Sequence, residues 1–202
     1  NNASTEQLKD LLGRGRAKKG MFEGDLDNGE LEIGQVSAMI KEIMPVAEIM
    51  SAAGFDWLTI DLEHSAISIE RAEELIRIID LSGVKPLVRL SSNNAEQIKR
   101  VMDSGAHGII VPMVKTEKEA RQAIDAVHYP PLGNRSVGLA RAQEYGVGFQ
   151  KYFEWQKENV MVLVQIEHIE AVENIDAIFS VEGISGYIIG PYDLSASMGI
   201  PG

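Results

Sequence analysis

The stretches Met161-Val-Leu-Val-Gln-Ile-Glu-His168 and Gly186-Tyr-Ile-Ile-Gly-Pro-Tyr-Asp-Leu-Ser195 decide the fold of this chain. Each contains an apolar run that is rich in Val or Ile and too short for a helix. An amphipathic segment separates the two runs, and this order predicts a strand-helix-strand unit of a parallel sheet. The face of the segment that is predicted to be buried consists of Ala171, Val172, Ile175, Ile178 and Phe179.

Each of the two apolar runs is followed by a carboxylate. Glu167 and Asp193 follow strands that point the same way, so both are predicted to lie side by side at the carboxyl edge of the sheet, where α/β proteins place their chemistry. Gln165 lies one pleat before Glu167. Carboxylate and amide oxygens are hard ligands, so this edge is predicted to bind Mg²⁺ or Mn²⁺.

The same alternation of strands and helices extends back towards the N-terminus. Further strands are predicted at residues 31–40, 57–61, 86–90 and 108–114, each followed by an amphipathic segment. Eight such repeats would close a (β/α)8 TIM barrel, whereas an open doubly wound sheet would need fewer. The chain contains only about six. We therefore expect a TIM barrel whose last two units are missing from this sequence. Either the sequence is truncated, or another chain must cover the exposed edge strands.

Local signals refine this organisation. Asn94 with Gln97, and Thr116 with Glu119, have the spacing of capping boxes at helix starts. Residues 129–148 form a loop of about twenty residues, which is long for a compact domain, so the loop is a candidate wall or lid of the site.

Length and composition exclude several classes of function. The 202 residues are expected to form one domain, with a short helix and a loop in residues 1–30. There are 30 acidic and 19 basic residues, which argues against binding to nucleic acid or to an anionic membrane surface. Cysteine is absent, and no apolar run is long enough to span a bilayer. The chain is therefore expected to be cytoplasmic.

Two further strand ends carry candidate catalytic residues. Asp61 precedes His64 by three residues, a spacing that would let the carboxylate orient the imidazole ring as a base, although a capping histidine would look the same. Arg89 follows apolar residues in a strand predicted to be buried, so it is expected to bind an anionic substrate or to pair with Asp61 or Glu63. His107, His128 and His168 lack a comparable partner pattern, and structural or surface roles are predicted for them.

With these residues in place, the sequence resembles the HpcH/HpaI family of class II pyruvate aldolases. The resemblance spans about residues 31 to 199. The stretches that carry it are Ala53-Gly-Phe-Asp-Trp-Leu-Thr-Ile-Asp-Leu-Glu-His64, Pro86-Leu-Val-Arg89, Gly133-Asn-Arg-Ser-Val-Gly138, Val164-Gln-Ile-Glu167 and Ile189-Gly-Pro-Tyr-Asp-Leu-Ser195.

This resemblance implies a role for each candidate. Glu167 and Asp193 would hold a divalent metal that chelates a pyruvate unit, either Mg²⁺ or Mn²⁺, with Co²⁺ as a further candidate. Arg89 would stabilise the enolate formed as the carbon-carbon bond breaks, and His64, oriented by Asp61, would remove the C4 hydroxyl proton. The substrate-binding residues would be Arg89, Gln165, Tyr192 and Asp193.

The resemblance therefore implies an aldehyde-lyase that cleaves a 4-hydroxy-2-oxo acid to pyruvate and an aldehyde. It also implies a homo-oligomer, a hexamer, and an aldehyde half of the site that faces the loop from Ala140. Tyr192 stands where the family usually has alanine, which alters the expected pocket. Two alternatives remain: a lyase of the citrate lyase β or malyl-CoA type, and a non-catalytic barrel that binds a keto acid.

Overall fold

The computed structural model describes residues 46–201. The helix predicted before about residue 12 and the strand predicted at 31–40 lie outside the described residues. Within the described part, five parallel strands are hydrogen-bonded in sequence order. They are β1 (Trp57–Asp61), β2 (Lys85–Arg89), β3 (Gly108–Val111), β4 (Met161–Ile166) and β5 (Gly186–Ile189). The sheet curls into a half-barrel, so the parallel α/β prediction is confirmed, whereas a closed barrel is not formed by residues 46–201.

Helices connect the strands and cover one face of the sheet. They are α1 (Val46–Ala52), α2 (Ile69–Leu81), α3 (Ala95–Asp103), α4 (Glu117–Val127), α5 (Phe149–Asn159), α6 (Ile169–Glu173), α7 (Ile175–Phe179) and α8 (Pro191–Ser197). The core lies between these helices and the strands. Its fully buried side chains include Val88, Ile109 and Val164 from the sheet, and Ile76, Ile98 and Ala123 from the helices.

The capping predictions are confirmed in full for α4 and in half for α3. The Thr116 side chain accepts a hydrogen bond from the Glu119 N–H, and the Glu119 carboxylate accepts one from the Thr116 N–H, which completes the capping box. The Asn94 side chain likewise accepts from the Gln97 N–H at 3.0 Å. The side-chain oxygen of Gln97, however, accepts from the Ser91 N–H rather than from the Asn94 N–H. The bond to the N-cap side chain is therefore present, and the reciprocal bond of a capping box is not.

The segment between β4 and β5 differs from the single predicted helix. It forms two short helices, α6 and α7, that are interrupted at Asn174. The Asn174 side chain donates to the Lys115 carbonyl at 3.0 Å, which anchors the break to the preceding connection. Of the residues predicted to face the core, Val172 and Phe179 remain 40% and 38% exposed.

Residues 129–148 do not form a wall of the predicted site. Arg135 binds Asp103 in the last turn of α3 at 2.5 Å. Arg141 in the same loop binds Asp80 in the last turn of α2 at 2.6 Å. The residues that follow these helix ends lead into β2 and β3, so the loop packs at the edge where the strands begin. The prediction of a wall or lid, and of an aldehyde half facing the loop from Ala140, is therefore wrong for the described residues.

Helix length also bears on the question of a membrane span. Among residues 46–201, no helix has both the length and the apolar character needed to cross a bilayer.

Candidate functional site

The candidate site lies at the carboxyl edge of the sheet. Asp61 and Arg89 are the last residues of β1 and β2, and Glu167 directly follows β4. Parallel pairing brings all of these strand ends to one edge, as the sequence predicts. Asp61 is also the direct cross-strand partner of Arg89, so both side chains project from the same face of the sheet.

Asp61 and Arg89 form a bidentate ion pair. Arg89 Nε donates to Asp61 Oδ1 at 2.9 Å, and Arg89 Nη2 donates to Asp61 Oδ2 at 2.5 Å. A second carboxylate approaches the same guanidinium, because Arg89 Nη1 lies 3.3 Å from Glu63 Oε2. The structural partners considered for Arg89 are thus both present, and two carboxylates fix the orientation of its fork.

The expected contact between Asp61 and the His64 ring is not present in the described residues. Asp61 Oδ1 accepts hydrogen bonds from the backbone N–H groups of Glu63 and His64, at 2.9 and 3.2 Å. Asp61 therefore shapes the turn that carries His64 but does not select the tautomer of its ring. That ring is 66% exposed, and its Nε2 atom lies 3.9 Å from Glu63 Oε2.

Glu167 is a buried carboxylate held by two donors. Its side chain accepts from the Met113 N–H at 2.7 Å and from Gln165 Nε2 at 2.7 Å. Met113 has φ of +54°, an uncommon conformation for a residue with a side chain. The left-handed turn after β3 thus aims a backbone donor at Glu167. No Lys, Arg or His in residues 46–201 forms an ion pair with this carboxylate.

Gly190 gives Glu167 the space it occupies. A Cβ atom at position 190 would lie 2.5 Å from Glu167 Oε2 and 2.8 Å from its Cβ. We expect Gly190→Ala to displace Glu167 and to lower the free energy of unfolding by about 1–3 kcal/mol, the usual cost of overpacking. Urea denaturation measures this loss. Gly186→Ala in β5 is the control, because its Cβ would meet only the flexible end of Leu163 at 3.1 Å. Equal losses in the two variants would contradict the steric argument.

Two buried oxygens near Glu167 and Arg89 lack hydrogen-bond donors among the described residues. They are Gln165 Oε1 and Glu63 Oε2. Burial raises the pKa of Glu63 above its ordinary value, and the negative charge of Glu167 raises it further, whereas Arg89 lowers it. Buried acceptors without donors are costly, so this edge of the sheet suits a cation or a hydrogen-bond donor from outside the chain.

Asp193 and Tyr192 lie in the first turn of α8, which begins directly after β5 and Gly190. The Asp193 carboxylate is exposed and forms no hydrogen bond or ion pair with residues 46–201. Tyr192 is 77% exposed. Asp193 is therefore not a strand-end residue as predicted, although it follows the same strand by a few residues.

The oxygen donors fit a divalent cation only in part. Glu167, Asp193 and the Gln165 carbonyl are hard oxygen ligands of the kind that Mg²⁺ and Mn²⁺ prefer. Within residues 46–201, no cluster of three or more His, Cys, Asp or Glu side chains is arranged to hold a metal ion. A site with two carboxylates falls below that number, and substrate oxygens and water would have to complete it.

Sequence reasoning missed one residue of this edge and underrated another. Glu63 was named as a possible partner of Arg89, which is confirmed, but its place at the site itself was not predicted. The Met113 backbone donor left no signal in the sequence, because any residue except proline carries an N–H group.

The pH dependence of stability should report the Asp61–Arg89 pair. The hydrogen bond from Arg89 lowers the pKa of Asp61 from 3.8 to about 2, with help from the Glu63 and His64 N–H groups. A lowered carboxyl pKa stabilises the fold above the unfolded pKa, and this contribution is lost as the pH falls towards the folded value. The difference in unfolding free energy between wild type and Asp61→Asn should be constant above about pH 5 and should shrink towards pH 2. Urea denaturation across this range measures it. Asp56→Asn serves as the control, and a difference independent of pH would contradict the prediction.

The fold and the site together define a class of protein. Parallel strands that carry Asp, Arg and Glu at their carboxyl edge are the arrangement of α/β enzymes of the barrel type. Residues 42–202 match the family HpcH/HpaI aldolase/citrate lyase. The chain belongs to this family, which confirms the resemblance seen in the sequence.

Three individual proteins of known name or structure are similar to this chain. The chain is 41% identical to 2-keto-3-deoxy-L-rhamnonate aldolase of Salmonella gallinarum over 182 residues, which are 89% of this chain and 67% of that protein. Among solved structures, an HpcH/HpaI aldolase from Desulfitobacterium hafniense is 32% identical with a TM-score of 0.70, covering 78% of this chain and 61% of that one. The citrate synthase SbnG is 36% identical with a TM-score of 0.68, covering 77% of this chain and 60% of that one. The chain thus spans about three fifths of these two solved structures.

Proposed function

We propose that this protein is a divalent-metal-dependent aldolase that cleaves a 4-hydroxy-2-oxo acid to pyruvate and an aldehyde. One observation carries the proposal. Glu167 is 3% exposed, is oriented by the donors from Met113 and Gln165, and has no Lys, Arg or His within ion-pairing distance among residues 46–201. Arg89 interacts with it electrostatically at longer range but is already paired with Asp61 and Glu63. Burial of a carboxylate without a direct counter-charge is costly, so the arrangement favours a bound cation. The family to which the chain belongs supplies the reaction class.

The residues of the site have separate roles in the proposed reaction. Glu167 and Asp193 would hold the metal, with Gln165 beside them. A divalent metal there would act as a Lewis acid on the keto oxygen of the substrate. We propose Mg²⁺ or Mn²⁺, and Co²⁺ as a further possibility, because oxygen ligands accept all three.

Arg89 would stabilise negative charge that develops on the substrate. A guanidinium has five N–H donors, and two of them donate to Asp61. Of the other three, those on Nη1 lie next to Glu63 Oε2 at 3.3 Å but form no hydrogen bond with it. The two carboxylates therefore fix the fork and leave N–H groups for a substrate oxygen, which is the preorganisation that electrostatic catalysis needs.

His64 is proposed to remove the C4 hydroxyl proton through a water molecule. The turn shaped by Asp61 holds its backbone, and its ring is accessible to solvent. We expect His64→Gln to lower kcat by about a hundredfold, within the usual range for the loss of a general base. Steady-state kinetics measures kcat, and an unchanged kcat would exclude His64 as the base.

The proposed function is tested by pyruvate release. Purified protein is incubated with Mn²⁺ or Mg²⁺ and a panel of 4-hydroxy-2-oxo acids that includes 2-keto-3-deoxy-L-rhamnonate, and pyruvate is followed through lactate dehydrogenase. Release should require the metal, stop on addition of EDTA and return when metal is added in excess. Metal-dependent binding of pyruvate without cleavage of any substrate would instead indicate the non-catalytic keto-acid-binding barrel.

A second candidate is a reaction of the citrate lyase or citrate synthase type. The 36% identity to a solved citrate synthase favours including it. Citrate is therefore added to the substrate panel, with malate dehydrogenase to detect oxaloacetate. Oxaloacetate formation in the absence of pyruvate formation would replace the aldolase proposal by this one.

We also propose that the protein forms a homo-oligomer, with the hexamer expected from the family resemblance. Light scattering coupled to size exclusion measures the mass, and a monomer at micromolar concentration would contradict the proposal.

A further inference from the structure

A second concave site lies at the opposite edge of the sheet. A cavity of about 530 Å³ falls within the range of small-ligand sites, roughly 300–1,000 Å³. His107, which immediately precedes β3, and Asp80, in the last turn of α2, form part of its wall. The strands begin at this edge, so the cavity is separate from Glu167 and Arg89, and the proposed aldolase reaction makes no use of it.

One wall of the cavity is aromatic. Trp155 of α5 stacks on Tyr152 with ring centroids 5.6 Å apart, and its ring lies 4.9 Å from that of His107. Tyr145 lines the cavity as well and is 75% exposed. Flat faces of this kind bind planar rings by stacking and by burial of apolar area.

The charged groups of the cavity differ in their capacity for a ligand. Asp80 is fully engaged, because Oδ1 lies 3.2 Å from His107 Nε2 and Oδ2 accepts from Arg141 Nη2 at 2.6 Å. Arg141 is fixed further by its donation to the Ser104 carbonyl at 3.1 Å. These contacts make a rigid floor, and they leave Asp80 with no free oxygen for a cationic ligand.

Lys151 is the cation of the cavity that is free to bind. Its ammonium lies 3.8 Å from Glu144 Oε1, and the two side chains are 85% and 60% exposed. An exposed ion pair at that distance contributes little, so a ligand anion can replace Glu144 as the partner at small cost.

The rim of the cavity is conformationally strained. Glu144 and Tyr145 are consecutive residues with φ of +50° and +54°, a left-handed conformation that is uncommon for residues with side chains. Strain of this kind persists where the surrounding structure imposes it, and ligand clamps are one such setting.

We propose that this cavity is a binding site for a small planar aromatic carboxylate, whose ring packs against Trp155, with the buried Tyr152 ring supporting it from behind, and whose anionic group pairs with Lys151. The site is distinct from the carboxyl edge of the sheet, so its ligand would be neither the substrate nor the product of the proposed aldolase reaction.

Fluorescence of Trp155 tests the proposal directly. The chain has two tryptophans, Trp57 and Trp155, so Trp57→Phe leaves Trp155 as the only reporter. In this background, benzoate should change the Trp155 emission saturably, whereas benzamide, its neutral analogue, should bind about two- to fivefold more weakly. A linear, non-saturating response to benzoate would overturn the proposal.

A matched pair of lysine variants identifies the anion partner. Lys151→Met should weaken benzoate binding by about two- to fivefold, as expected for the loss of an exposed ion pair, and leave benzamide binding unchanged. Lys157→Met on the same helix should change neither, because Lys157 pairs with Glu154 and does not line the cavity. Equal effects of the two substitutions would overturn the assignment of Lys151.

Two further measurements separate this site from the proposed catalytic one. Glu167→Gln and saturating pyruvate with Mg²⁺ should both leave benzoate binding unchanged, and loss of binding in either case would place benzoate at the carboxyl edge and overturn the proposal. Saturation-transfer NMR of benzoate with wild-type protein repeats the titration without the Trp57 substitution. Tyr145→Ala should reduce the saturation transfer to benzoate. Undiminished transfer in both Tyr145→Ala and Lys151→Met, measured separately, would also overturn the proposal.

Discussion

Glu167→Gln is expected to lower kcat/KM for metal-dependent pyruvate release by about a thousandfold, comparable to the loss of a principal electrostatic contact in other enzymes. The substitution keeps the size of the side chain but removes its charge. It also places an amide NH₂ group where Gln165 Nε2 now donates, but a flip of the Gln165 amide would restore this hydrogen bond, because Gln165 Oε1 has no donor among the described residues. Pyruvate release and Mn²⁺ affinity, measured by electron paramagnetic resonance, should both fall.

The matched control is Glu170→Gln. Glu170 lies in the first turn of α6, three residues after Glu167, and does not contact the site. The Glu170→Gln variant should retain the activity of the wild-type protein. Retention of activity in Glu167→Gln, or an equal loss in the two variants, would remove Glu167 from the proposed metal site.

Arg89→Ala is expected to lower kcat by several hundredfold while changing the affinity for Mn²⁺ far less. The guanidinium is proposed to act on charge that develops during the reaction. The substitution therefore removes stabilisation of the transition state rather than binding in the ground state. Steady-state kinetics and metal titration measure the two quantities separately. Equal losses in kcat and metal affinity would mean that Arg89 only shapes the site.

Two further variants show whether the loss of kcat in Arg89→Ala is due to the geometry of the guanidinium. Arg89→Lys keeps the charge but cannot form the two parallel hydrogen bonds to Asp61, so a kcat near that of Arg89→Ala would assign the effect to the geometry of the fork. Arg121→Ala removes an exposed arginine that pairs with Glu117 at 3.5 Å on α4. It should change neither kcat nor metal affinity.

The strands were predictable because their patterns are strong. Residues 57–61 were predicted as a strand with the observed bounds, and β2 differs from the predicted 86–90 by one residue at each end. The parallel order then places Asp61, Arg89 and Glu167 at one edge, since every strand ends there. Periodicity and chain direction were sufficient for these features.

The side-chain contacts were less predictable. The sequence offered two partners for Asp61, the His64 ring by its spacing and Arg89 by its predicted strand end. The register of β1 and β2 sets Arg89 directly opposite Asp61, and the guanidinium binds the carboxylate. That register could not be determined from the spacing within one segment, because the two residues are 28 positions apart. The Met113 contact depends on a left-handed turn that nothing in the letters marks.

The misplacement of residues 129–148 has a different cause. This loop connects α4 to α5, and α5 leads directly into β4. In an alternating parallel fold the chain that leaves a connecting helix returns to the edge where the strands begin, so the order of elements already indicated that edge. Its contacts to Asp80 and Asp103 follow from that position.

The direct opposition of Asp61 and Arg89 also has a consequence for how β1 finds its place during folding. A slip of one residue would turn Asp61 towards the apolar layer beneath the helices and leave Arg89 facing a neighbour of no charge. Misaligned pairings of these two strands would therefore carry a heavy electrostatic penalty. The same ion pair that orients a candidate reactive group thus selects one alignment of the strands over its neighbours.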